Sequence, residues 1–137
     1  MRNASKFAQM KFKDLLDVSL LDNGSFTLRE SRFTVRTMIQ EVVDLVDAQA
    51  KAQILSIDID LSQINFTEVI GDANRIQQIL LNILSNALKF SPQYGKILIS
   101  GFWTNSLDEY GEALILMMIE IKDQGPGISS EDQRKIF

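Results

Sequence analysis

The segment 55–61, "LSIDIDL", constrains the fold of this chain more than any other. Leu55, Ile57, Ile59 and Leu61 alternate with Ser56, Asp58 and Asp60, which is the two-residue period of a strand. One face packs on helices and the other meets water. The helices lie on either side of it in the sequence. From Thr34, a suitable N-cap, an amphipathic helix runs to about Gln53, with Val35, Met38, Ile39, Val42, Val43 and Val46 along its stripe. Asp72 caps a further helix over about 73–90.

Shorter elements complete the pattern. Residues 5–21 carry Phe7, Ala8, Phe12, Leu15, Leu16 and Leu20 at helical spacing, and "DNGS" (22–25) stops that helix at Gly24. Residues 25–33 and 66–71 read as short strands. Two apolar strands, 96–103 and 113–122, are joined by the polar loop "TNSLDEYGE", and so short a connection implies an antiparallel pair. The turn "DQGPGI" (123–128) follows, and Ser129–Phe137 begins another segment. The order helix, strand, helix, strand, strand, helix, strand, strand argues a two-layer α/β sandwich with a mixed or antiparallel sheet, not a doubly wound fold. The first helix stands ahead of a turn as an appendage, and its stripe needs a partner helix.

Composition removes several functions. Within 137 residues, enough for one domain, there is neither cysteine nor histidine, so thiolate metal sites, disulfides and imidazole chemistry are excluded from these residues. A net charge of −4 gives no nucleic-acid or anionic-membrane footprint. The basic N-terminus lacks the apolar core of a signal peptide, and the longest apolar run, "ALILMMI", is too short to span a bilayer. A cytoplasmic protein without a membrane segment is expected.

Two stretches carry candidate chemistry. On the helix of 73–90, at about 100° per residue, Arg75, Gln78, Asn86 and Lys89 fall within about 40° of Asn82. Ile76, Ile79, Leu80, Ile83, Leu84, Ala87 and Leu88 are assigned to the other side. A solvated polar face is the simple explanation. Yet such faces favour Lys and Glu, and two asparagines inside a helix have poor propensity. An amide pair beside a lysine instead suits a hard cation and a phosphate. In "DQGPGI", Asp123 ends an apolar strand, where a carboxylate is costly unless it accepts hydrogen bonds. Gly125 and Gly127 permit a sharp turn and close approach to a flat ligand, with Pro126 fixing one angle between them. A plain strand-ending turn is the alternative.

In this order, separated by a hairpin, the two stretches resemble the N box (72–91) and G1 box (123–128) of sensor histidine kinases, members of the GHKL superfamily. "GDANRIQQILLNILSNALKFS" is similar to the N-box helix nearly throughout, and "SSEDQRKIF" to the entry of the ATP lid, with Phe137 at the start of the F box. Residues 1–24 resemble the end of the second dimerisation helix and its turn, and 25–137 part of the ATP-binding domain. The resemblance implies a Bergerat-type α/β sandwich that binds ATP and Mg²⁺. Asn86 would ligate Mg²⁺, with Asn82 in support; Lys89 would contact phosphate and Phe90 would line the pocket. Asp123 would accept from the adenine amino group, while Gly125 and Gly127 shape the adenine site.

Asn82 also selects a branch. ATPases of the superfamily place a glutamate there to activate water, and an amide cannot serve as that base. The implied function is the ATP-binding portion of a kinase in two-component phosphorelay, with a response regulator as partner of the parent protein and dimerisation through the first helix. The sequence ends before the family's second glycine-rich box and lacks the acceptor histidine, so no catalytic residue is assigned and the isolated chain is expected to lack kinase activity. A non-catalytic interaction module and a GHKL ATPase remnant are the alternatives.

Overall fold

The computed structural model describes residues 27–127 and 129–136. The expected first helix (5–21) and the F-box start at Phe137 lie outside the described residues. The elements run β1 (Ser31–Thr34), α1 (Val35–Ala52), β2 (Ser56–Asp60), β3 (Glu68–Gly71), α2 (Ala73–Phe90), β4 (Lys96–Leu107), β5 (Ala113–Lys122) and α3 (Ser130–Ile136).

Among the described residues the strands form two sheets. β1 and β3 pair antiparallel, Ser31 opposite Gly71 and Thr34 opposite Glu68. The larger sheet is mixed, in the order β2-β4-β5. β2 runs parallel to β4, with Ser56 opposite Lys96, and β4 runs antiparallel to β5, from Leu98–Lys122 to Leu107–Ala113. A parallel pair needs a long crossover, and β3 and α2 supply it. This is the mixed two-layer arrangement that the element order implied, with α1 and α2 packed against the strands.

The core sits between the layers. Val35, Ile39, Val42 and Val46 of α1 meet Leu81, Leu84 and Leu88 of α2, with Ile97 and Ile99 of β4 beneath, all almost wholly buried. Burial of this kind is the main favourable term in folding, at about 25 cal/mol per Å² of apolar surface. One polar side chain crosses the layer of helices: the Gln77 amide nitrogen donates to the Met38 carbonyl oxygen (3.2 Å) and to the Glu41 carboxylate (2.7 Å).

Two boundaries and one helix cap differ from expectation. Of the strand expected over 25–33, the described residues 27–30 are not strand and the ladder begins at Ser31, because Arg29 is drawn off to donate its backbone N–H to the Asp72 carboxylate (2.9 Å). Thr34 does stand at the N-cap of α1, but its hydroxyl donates to that of Thr37 instead of accepting from the helix. β4 runs on to Leu107, so the first four residues of the expected loop "TNSLDEYGE" are strand. The actual connection is a tight turn, in which one Asp108 carboxylate oxygen accepts from the N–H groups of Tyr110 and Glu112.

Candidate functional site

α2 is a helix because its interior is almost free of breakers and its ends are well marked. Asp72 accepts from the Arg75 backbone N–H (3.2 Å) at the N-terminus. At the other end Pro92 disfavours helical geometry in the residue before it, and Ser91 is extended (φ −73, ψ 143). Phe90 is therefore the last helical residue, and its carbonyl is one of those a helix C-terminus leaves without an intrahelical donor.

The glycine turn folds against that end of α2. A Cβ on Gly125 would lie 3.0 Å from the Phe90 carbonyl oxygen, so glycine is what lets the turn approach the helix this closely. Gly127 has φ +75, in the left-handed region that glycine enters freely. Asp123 organises the turn from within: its Oδ1 accepts from the Gly125 N–H at 2.8 Å. The carboxylate is exposed, and its Oδ2 has no hydrogen-bond partner among the described residues. Its burden at the strand end is thus relieved by solvent and by one backbone donor.

Between helix and turn lies a cavity of about 640 Å³, lined by Ile83, Asn86, Ala87, Phe90, Asp123, Gly125, Pro126 and Gly127. Five of the seven residues singled out from the sequence meet here: Asn86, Phe90, Asp123, Gly125 and Gly127. Asn82 and Lys89 do not line the cavity. Asn82 is exposed one helical turn before Asn86, and the Lys89 ammonium lies 5.2 Å from the centre of the Phe90 ring, within cation–π range.

Two isoleucines of α2 depart from the face expected of them. Ile79 and Ile83 were assigned to the side opposite the asparagines, yet they are 59% and 47% exposed. They occupy the flank next to the asparagines, and Ile83 forms part of the cavity wall. The reason is the position of the neighbouring layers: α1 and the strands cover only the arc centred on Leu84, so the apolar arc is wider than the surface available to bury it. Gln78 departs the other way. Placed on the polar face, it is 8% exposed and accepts from the Arg75 guanidinium (3.2 Å).

Ile83, Ala87 and Pro126 were missed as wall residues. The signal was present: Ile83, Asn86, Ala87 and Phe90 recur at the three- and four-residue spacing of one helix flank. An apolar wall with few polar groups, an amide at one edge and a carboxylate at another, is the usual form of a small-molecule site. A flat heterocycle fits such a wall, with Asp123 able to accept from a donor on its edge.

Residues 71–137 match the family described as "Histidine kinase-, DNA gyrase B-, and HSP90-like ATPase". The chain is 32% identical over 123 residues to the Non-motile and phage-resistance protein of Caulobacter vibrioides, covering 90% of this chain and 14% of that protein. It is 34% identical over 86 residues to the Hybrid signal transduction histidine kinase H of Dictyostelium discoideum, covering 63% of this chain and 6% of the relative. The chain therefore spans only a small part of the length of these relatives. Among solved structures, the histidine kinase AdeS of Acinetobacter baumannii superposes with a TM-score of 0.69 at 26% identity, over 96% of this chain and 60% of that one.

Proposed function

From the premise that residues 71–137 belong to the histidine kinase-, DNA gyrase B- and HSP90-like ATPase family, we propose that the cavity between α2 and the glycine turn binds ATP with Mg²⁺ for a sensor histidine kinase. The chain carries a histidine kinase-type ATP-binding domain of mixed α/β fold. Beyond that, the observation supporting our reading is the meeting of Asn86 and Phe90 with Asp123, Gly125 and Gly127 around one cavity, from stretches far apart in sequence.

The roles follow from the chemistry of each group. Ile83, Ala87 and Phe90 offer an apolar surface to the adenine ring. Asp123 Oδ2 accepts from the exocyclic amino group, while Oδ1 keeps the turn in shape. Lys89, on the exposed end of α2, is in reach of phosphate once its ammonium leaves the Phe90 ring. Among the described residues no group of three or more carboxylate, imidazole or thiolate side chains gathers to hold a metal. That fits Mg²⁺, which commonly keeps its waters and binds through one or two protein oxygens plus substrate phosphates. Asn86 would supply such an oxygen, and Asn82 would support it. The bound ion would neutralise phosphate charge.

We take the ATP-binding domain to begin near residue 25, with residues 1–24 belonging to a dimerisation helix and its turn. The parent protein would act in two-component phosphorelay in the cytoplasm and pass phosphate to a response regulator. These 137 residues contain no histidine, so an acceptor must come from another part of the parent or another chain. Incubated alone with labelled ATP, they should not form phosphohistidine. Among the described residues no helix is long and apolar enough to cross a membrane.

Calorimetric titration with ATP, with and without Mg²⁺, tests the reading. Binding strengthened by Mg²⁺ is expected. Asn86→Ala should remove most of that strengthening while leaving the helix intact, since alanine is the better helix former. An unchanged Mg²⁺ dependence would show that Asn86 is not the ligand.

A further inference from the structure

The β4–β5 ladder ends at the pair Leu98–Lys122. Continued in the same register, it would set Lys96 opposite Gln124. The backbone does not continue it, because residues 123–127 leave the sheet to fold over the end of α2. The Lys96 N–H donates instead to the Gln124 side-chain Oε1, at 2.9 Å. A side-chain amide thus takes the place of a backbone acceptor in the last rung.

We infer that Gln124 is a positioning residue for the nucleotide site, holding the glycine turn at a fixed distance from the sheet so that Asp123 meets the base. The inference rests on the proposed reading of the cavity. Three observations carry it. Lys96 is itself anchored, paired with Ser56 of β2, whose N–H donates to the Gly95 carbonyl (3.2 Å), so the turn is tied to the middle strand of the sheet and not to a loose end. Gln124 lies between Asp123 and Gly125, which are joined by their own hydrogen bond (2.8 Å), so a tether at Gln124 holds both as a unit. Gly125 is packed closely on the Phe90 carbonyl, where a Cβ would lie 3.0 Å from the oxygen, and both residues line the cavity, so the position of the turn sets the cavity's shape.

This arrangement reconciles two demands on one segment. The backbone of 123–125 must leave the sheet to reach the helix, yet it must not swing. A backbone acceptor at 124 would satisfy Lys96 only by keeping the segment in the ladder. The glutamine side chain satisfies Lys96 and releases the backbone.

The test compares the wild-type chain with Gln124→Met, which keeps the shape and loses the acceptor, and Gln124→Glu, which keeps an acceptor. Affinities for ATP and GTP, melting temperature and amide exchange at Lys96 and Gly125 are measured on each. Loss of one hydrogen bond that acts in binding predicts an affinity for ATP about three- to tenfold lower in Gln124→Met, with a smaller ATP preference over GTP. Exchange at both amides should rise, and Gln124→Glu should recover much of each effect. Melting temperature, which a merely structural bond would govern, should barely move. Wild-type affinity and nucleotide preference in Gln124→Met would overturn the inference. Absence of ATP binding by the wild type is a different result: it overturns the reading of the cavity, and the tether is then judged by Gly125 exchange alone. Unchanged exchange in Gln124→Met would overturn the tether as well.

Discussion

Among the described residues that leave large apolar side chains in water, two groups differ in kind. On the open flank of α2, Ile79 is exposed, and Ile83 and Phe90 stand with Asn86 and Asp123 around a cavity. On the far half of the β4–β5 hairpin, Trp103, Leu114, Ile115, Leu116 and Met118 are also exposed. Around Trp103 a second hollow of about 450 Å³ forms, lined by Trp103, Thr104, Asn105 and Ile115. Exposure of apolar surface is therefore no mark of a ligand site by itself. The α2 flank has polar groups converging on one space from two separate segments. The hairpin hollow has none that is charged, and all its residues come from two neighbouring strands. An apolar patch of that sort marks a place that another surface can cover.

The distinction between the two surfaces is tested most directly at Asp123. Asn in its place keeps an Oδ1 that accepts from the Gly125 N–H, so the turn and the melting temperature should survive. It replaces the second oxygen by a donor that would face the adenine amino group. A charge-assisted hydrogen bond is worth about 1.5–3 kcal/mol, so affinity for ATP should fall about ten- to a hundredfold and its advantage over GTP should narrow. Equal affinity of the wild type for ATP and GTP, measured by titration, would remove the adenine assignment. A smaller effect is expected at Ile83, which is half-exposed in the free protein and would be covered by the ring. Ile83→Ala should weaken ATP by about 1–2 kcal/mol, or roughly five- to thirtyfold, through lost apolar contact. The least effect on nucleotide is expected from Trp103→Ala on the hairpin: ATP affinity within about twofold of wild type, but reduced binding of a fluorescent apolar dye. A Trp103 variant that lost ATP affinity at unchanged melting temperature would mean that the two surfaces are not independent.

The sequence disclosed some elements better than others, for physical reasons. α1, α2 and β2 have long or strict hydrophobic periods, and their expected limits agree with the observed ones to within a residue or so. Such patterns report which face is apolar. They do not report how much of it the neighbouring layers cover, which is why Ile79 and Ile83 were assigned to the side opposite the asparagines. β4 was read as ending at Trp103 because Thr104, Asn105 and Ser106 look like loop. They extend the strand because β5 pairs with them, Thr104 opposite Leu116 and Asn105 opposite Ile115. Pairing is a non-local fact, and composition in one window does not contain it. At the site, asparagines in a helix interior and paired glycines beside an aspartate were visible because each violates a local preference. Ile83 and Ala87 violate none, and so they read as ordinary helix. The tether at Gln124 depends on register between distant strands and lies beyond any local pattern.

Gln77 has a consequence for how accurately the cavity can be built. Contacts among Val, Ile and Leu have no direction, and two helices joined only by them can slide past one another by a fraction of a turn at small cost. The Gln77 amide has two fixed addresses on α1, the Met38 carbonyl and the Glu41 carboxylate. A slide that kept every apolar neighbour in contact would still break one of these bonds and leave a buried donor unmatched. The pair of bonds therefore acts as a dowel between two smooth surfaces, setting the phase of α2 along its axis. Asn86, Ile83 and Phe90 are rigidly attached to that axis. The placement of the cavity wall is thus set by a side chain about two to four turns away that does not line the cavity.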